Sequence, residues 1–238
     1  MAKRSARRTR GSNPSKAPPL AGDNREKAIG ALMALLSDHR FEDIGLAEIA
    51  GRAGLSLSQL RAEFGSPLAI LRAHMKEVDR KVLDADSGEL EDAPPRERLF
   101  DVLMRRIEAL APDKAAIRSL IASARRHPGL AMALNAMALQ SQRWMLTAAG
   151  IGTSGPRGML RMQGAALVFA QAVSVWAEDE GDGLDRAMAA LDRGLASAER
   201  WSGFLDDLFC IPAVLCRGVS RRRRRRPLDE GSAEAEAA

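Results

Sequence analysis

The 238 residues predict an all-α protein. Three observations lead there. Ala, Leu, Met, Arg and Glu, all good helix formers, are abundant, while Tyr is absent and no window of β-branched residues alternates at the strand period. Apolar residues instead recur three and four apart in one segment after another. Pro, Gly and short polar residues fall between those segments, where helices start and stop. A chain of this length suits one or two domains and can bury a proper core.

Residues 1–22 form a polar arm with six basic and no acidic side chains, and its Pro and Gly content predicts disorder. Lys3, Arg4, Arg7, Arg8 and Arg10 could follow a minor groove or a run of phosphates, or could simply be solvated. Pro14, Pro18 and Pro19 break any amphipathic transit helix, and no apolar signal core follows, so a cytoplasmic protein is expected.

A first domain is expected over 23–85. Its first helix runs from Arg25 to Leu36 and is followed by Phe41. Leu46, Ile49, Ala50 and Ala53 then share one helical face, and Gly54 sits where that helix must stop and turn. Ser56 can cap a second short helix, with Leu55, Leu60 and Phe64 buried against the first. Leu57, Ser58, Arg61 and Ala62 are left facing outward. This is the pattern of a helix-turn-helix, whose outer face can enter the major groove, and equally that of a plain helical hairpin. Ser66 caps a fourth helix that begins at Pro67 and continues to about Leu83.

A second, helical domain is expected over 94–216. Pro94-Pro95 opens a helix through Leu99, Val102, Leu103, Ile107 and Leu110, and Pro112 stops it. Asp113 to Arg126 gives another, ended by His127-Pro128. Leu130 to Ala148 is apolar on nearly every side, which predicts burial on more than one face. Met132, Met137 and Trp144, with Phe169 further on, could line a ligand cavity for a small apolar effector, or could be ordinary core. Gly150 to Gly155 has the spacing of a dinucleotide-binding loop, but a helix precedes it where a strand is required, so it reads as a connection. Gly164 to Ala177 is the most apolar run and too short to span a bilayer. After Glu178-Asp179-Glu180, Leu184, Met188, Leu191 and Leu195 stripe one more helix.

Charge and chemistry narrow the function. Most of the excess positive charge lies in the two tails, the second being Arg217 with Arg221 to Arg226 in the tail 217–238, which is expected to be disordered and to end acidic. The body between is mildly acidic. Cys210 and Cys216 suggest reduced thiols rather than a disulfide framework. His39, His74 and His127 have no metal-ligand spacing, and no Ser or Cys comes with an identifiable base. Neither an enzyme nor a bound metal or cofactor is expected.

The residues from Arg25 to Ile70, with Glu48-Ile49-Ala50, Ala53-Gly54-Leu55-Ser56 and Phe64-Gly65-Ser66 in order, resemble the N-terminal domain of the TetR family of bacterial transcriptional regulators. The resemblance implies a dimeric repressor with a ligand-responsive C-terminal domain, which binds double-stranded DNA through Gly45, Ser56, Leu57, Ser58, Gln59 and Arg61. It also implies a C-terminal interface between protomers, for which Val173, Trp176, Leu184, Met188, Leu191 and Leu195 are the candidates; a monomer burying both helices in its own core is the alternative. Three family phosphate contacts, usually Thr, Tyr and Lys, are replaced by Gly45, Arg61 and Pro67. Gly is a workable cap and Arg a good phosphate ligand. Ser58 stands for the usual Gly, and Glu63 for the usual His or Tyr.

A second, shorter stretch, Val175 to Asp179 with Ala190 to Leu195, is similar to the ubiquinone-biosynthesis lipid-binding proteins, which share the TetR fold. It implies a lipid-binding accessory protein. The amphipathic segment from Trp201, beside the arginine run to Arg226, could then touch an anionic membrane. Between the two, the longer match favours a DNA-binding regulator.

Overall fold

The computed structural model describes residues 21–85, 92–181, 184–198 and 200. The basic arm up to residue 20, both cysteines and the segment 201–226 lie outside the described residues. Among the described residues all regular structure is helical: α1 (Ala21–Asp38), α2 (Leu46–Ala53), α3 (Leu57–Glu63), α4 (Pro67–Asp84), α5 (Pro95–Leu110), α6 (Lys114–Arg126), α7 (Pro128–Ala148), α8 (Gly155–Glu178) and α9 (185–198), with 3-10 turns at Phe41–Asp43 and Ala111–Asp113. None of these helices is long and apolar enough to cross a membrane. The helix boundaries read from Pro, Gly and Ser are met within one or two residues for α4, α5, α6 and α7. The first helix starts earlier than expected, at Ala21, with Asp23 in its first turn paired to Lys27. An acidic side chain there complements the exposed N–H groups of the helix start.

The chain forms two compact units. Among the described residues, 21–81 associate with Ala109–Met137, and those of 82–108 with those from Ala138 onward. The compact N-terminal unit therefore contains α6, which the sequence-based boundaries of 23–85 and 94–216 assign to the second domain.

In unit one α1 is the central element. Ala28, Leu32 and Leu36 are fully buried at four-residue spacing, and Ile29, Ala31, Met33 and Leu35 bury the flanks. The helix therefore packs against α2, α3 and α6 at once. Ile49, Ala50, Leu60 and Phe64 close the core from the helix-turn-helix side, and Ala116, Ile117 and Leu120 close it from α6. Each fully buried Leu or Ile adds about 1.5–3 kcal/mol of apolar transfer free energy.

Unit two is built on α8. Ala165, Ala166, Phe169, Ala172, Val173, Trp176 and Ala177 are buried along it, as are Ala187, Ala190, Leu191 and Leu195 of α9. The two helices come close at Gly194, where an added Cβ would lie 2.6 Å from Cγ1 of Val168. Arg96 of α5 reaches Asp192 of α9 at 2.6 Å.

This packing bears on two expectations. Val173, Trp176, Leu191 and Leu195, taken as candidates for a protomer interface, are between 0% and 8% exposed in the single chain, so its own core already covers them. Leu184 is half-buried, and Met188 remains on the surface. Met132 and Trp144, candidates for a ligand cavity, are 75% and 55% exposed, whereas Met137 and Phe169 are buried. The all-round apolar character of α7 thus does not mean all-round burial within the chain. Apolar composition alone does not say which face a neighbouring helix covers.

Replacing Gly194 by Ala should lower unfolding stability by about 1–3 kcal/mol, because Val168 is β-branched and cannot rotate away cheaply. Val168→Ala in the same chain should recover part of that loss in urea unfolding.

Candidate nucleic-acid interface

The helix-turn-helix is set by two local motifs. Gly54 takes a left-handed conformation at φ 66°, its N–H bonding Gly51 O while the Leu55 N–H bonds Ala50 O at 2.9 Å. This Schellman pattern satisfies the last carbonyls of α2 and turns the chain sharply. Ser56 then starts α3 with a full capping box: its Oγ accepts from the Gln59 N–H at 3.2 Å, and Gln59 Oε1 accepts from the Ser56 N–H at 2.9 Å. Ser58 Oγ lies 2.9 Å from Ser56 Oγ.

Burial divides α3 into an inner and an outer face. Leu60 and Phe64 are 1% and 4% exposed; Leu57, Ser58, Arg61 and Ala62 face outward, Leu57 with 58% of its surface in solvent. Arg25 of α1 stacks 5.0 Å over the Phe64 ring and lies 4.0 Å from Glu77 of α4, which ties the end of α3 to both helices.

Of the six residues expected to touch DNA, Leu57, Ser58 and Arg61 are presented together on the outer face of α3. Gly45 is the exposed N-cap of α2 and supplies no side-chain cap, so the N–H groups of that first turn remain open to a phosphate. Ser56 and Gln59 have a different use. Both are committed to the capping box, and Gln59 is half-buried, so its carbonyl oxygen serves the helix start rather than a base edge.

What holds this substructure from the other side is not legible in consecutive residues. Ser119 and Ser123 of α6 and His127, which caps its C-terminal end, follow at four-residue spacing and meet the chain between α1 and α2. Ser119 Oγ donates to His39 O at 2.7 Å, and Ser123 Oγ accepts from the Phe41 N–H at 3.2 Å. His127 Nε2 lies 3.2 Å from Glu42 Oε1. The Glu42 carboxyl is held below its ordinary range, first by its own backbone N–H, then by the Ser123 hydroxyl and by His127. The i, i+4, i+8 spacing is visible in the sequence; the partner, some 80 residues away, is not.

The charge around this surface is mixed. Arg52 and Arg61 are exposed, and so are Glu42, Asp43 and Glu48 near the start of α2. Among the described residues no group of three or more His, Cys, Asp or Glu is placed to hold a metal ion.

No protein-family model matches the chain, and no curated protein resembles it in sequence. Solved structures do resemble it in fold. A TetR transcriptional regulator from Nitrosomonas europaea aligns with a TM-score of 0.58 at 21% identity, over 74% of this chain and 97% of its own. One from a Rhodococcus species gives 0.52 at 18%, over 74% and 94%. A TetR-family regulator from Streptomyces coelicolor gives 0.50 at 14%, over 85% and 99%. The shared architecture is an all-α helix-turn-helix followed by a helical bundle.

Two outcomes test the α6 clamp. Ser123→Ala leaves the Phe41 N–H without its acceptor and should cost about 1–3 kcal/mol in urea unfolding. Because the folded state favours ionised Glu42, its contribution is present above the ordinary glutamate range and is lost as pH falls through the lowered value. Glu42→Gln should therefore flatten the acid side of a stability-against-pH profile and leave its neutral side with the smaller slope change.

Proposed function

We propose that this chain, which has the TetR fold, is a DNA-binding transcriptional regulator acting as a homodimer, with a C-terminal unit that responds to a small molecule. The observation that carries the reading is the outer face of α3. Leu57, Ser58 and Arg61 are held in solvent on a helix whose start is capped on one side and whose inner face is locked by Leu60 and Phe64. Arg61 offers a guanidinium to a phosphate or a guanine, and Leu57 an apolar contact for a thymine methyl. The open first turn of α2 adds a phosphate contact that needs no side chain. With DNA as its partner, the protein would work in the cytoplasm.

A dimer is supported by apolar surface elsewhere than first expected. Leu160 and Leu167, seven residues apart on α8, are 53% and 61% exposed, and Met188 on α9 is 42% exposed. These exposed side chains, rather than the buried Val173 or Leu191, are the ones we assign to contact with a second copy. The lipid-binding alternative drew on the stretch Val175 to Asp179 with Ala190 to Leu195, on the replaced phosphate contacts and on the segment 201–226, which lies outside the described residues. No curated protein matches the chain in sequence, and the solved structures similar to it are transcriptional regulators.

The test is binding to a duplex spanning the protein's own promoter and to random duplex, each across a salt series. Promoter preference that persists as salt rises supports a sequence-reading surface. Arg61→Ala should weaken promoter binding by about 1–3 kcal/mol, roughly 5- to 150-fold, with the fold unchanged by circular dichroism. Equal, salt-labile binding to both duplexes would sink the reading.

A further inference from the structure

Unit two contains a polar group that neither its packing nor the nucleic-acid surface uses. Gln142, on α7, has no exposed surface, and neither its Oε1 nor its Nε2 has a hydrogen-bond partner among the described residues. The other buried polar side chains of the unit keep at least one interaction. Ser141 takes part in one, and Arg106 stacks 4.6 Å over the Phe169 ring. Arg98, Arg105 and Arg106 each have a partner, although Nε of the first two and Nη2 of Arg106 have no hydrogen bond; Gln142 alone among them has both ends of its side chain unmatched. Burying a primary amide with donor and acceptor both unsatisfied is unfavourable, and folded chains keep such a group where something supplies its complement.

The complement follows from the amide itself. One edge of Gln142 presents an acceptor and a donor side by side. A group that satisfies both must present a donor and an acceptor in the matching order, as a carboxamide or lactam does. A carboxylate offers acceptors alone and would set its negative oxygen against the lone pairs of Oε1; an ester or ketone leaves Oε1 empty. One turn along α7 stand Met145 and Leu146, 0% and 2% exposed, so the surroundings on that side are apolar.

We propose that Gln142 is the polar anchor of an internal site in unit two for a small apolar molecule carrying a carboxamide or lactam group. Gln142 Nε2 donates to the ligand carbonyl, and the ligand N–H donates to Gln142 Oε1. That such a molecule is an effector rests on the regulator reading; that it binds does not.

The test uses the full-length protein without DNA and three probes, ε-caprolactam, benzamide and cyclohexanecarboxamide, each against its lactone or methyl ester, by calorimetry and thermal shift. At least one amide should bind about 10-fold or more tightly than its oxygen analogue, because the site hydrogen-bonds the N–H that the analogue lacks. Gln142→Leu should abolish that preference and raise the melting temperature of the unliganded protein, since it removes an unsatisfied amide of similar size. Equal binding of amides and esters to the wild type would overturn the proposal. So would a lowered melting temperature in both Gln142→Leu and Gln142→Met, which would mean that buried water already satisfies the amide. Duplex binding with and without the bound amide separates the two readings. An amide that binds but leaves promoter affinity unchanged removes the effector role and keeps the site; wild-type protein that never prefers its promoter defeats the regulator reading alone.

Discussion

The grip of α6 on the segment between α1 and α2 is the constraint on which the rest of unit one depends. That segment has no helix of its own to satisfy its backbone, apart from a single 3-10 turn, and its polar groups need partners. Ser119 donates to His39 O, Ser123 accepts from the Phe41 N–H, and His127 pairs with the Glu42 carboxylate. Three side chains on one stripe thereby fix where α2 begins, and α2 fixes α3 through the turn at Gly54. The surface offered by Leu57, Ser58 and Arg61 is consequently positioned from a helix 60 residues further along the chain.

Within the helix-turn-helix, polar residues are divided between structure and recognition. Ser56 and Gln59 spend their hydrogen bonds on each other's backbone, while Arg61 is left free to face a partner. The division explains why a surface this small can be rigid. Seven residues cannot sustain an isolated helix in water, so α3 relies on its capping box, on Leu60 and Phe64, and on the Arg25 guanidinium over the Phe64 ring.

Unit two follows another logic. The close approach of α8 and α9 at Gly194 draws Val173, Trp176, Leu191 and Leu195 into one core and leaves Leu160, Leu167 and Met188 outside. Hydrophobicity marks both sets alike. What separates them is which face the neighbouring helix covers, and for the same reason Met132 and Trp144 lie on the surface although α7 reads as apolar all round.

Much of the fold was legible in the amino-acid sequence, because its signals are local. Helical periodicity, Gly54 at a left-handed turn, Ser56 three residues before Gln59, and Ser66-Pro67 at a helix start each act within one turn of the chain. The outward set Leu57, Ser58 and Arg61 was legible as well, since it is the remainder once Leu60 and Phe64 are assigned to the core. What tertiary structure decided was everything that needs a distant partner: the clamp of Ser119, Ser123 and His127, the association of α6 with the N-terminal unit, the burial of the expected interface residues, and the isolation of Gln142. Local motifs are written in consecutive residues, whereas the face a helix buries is chosen by another helix whose register no single stretch of sequence specifies.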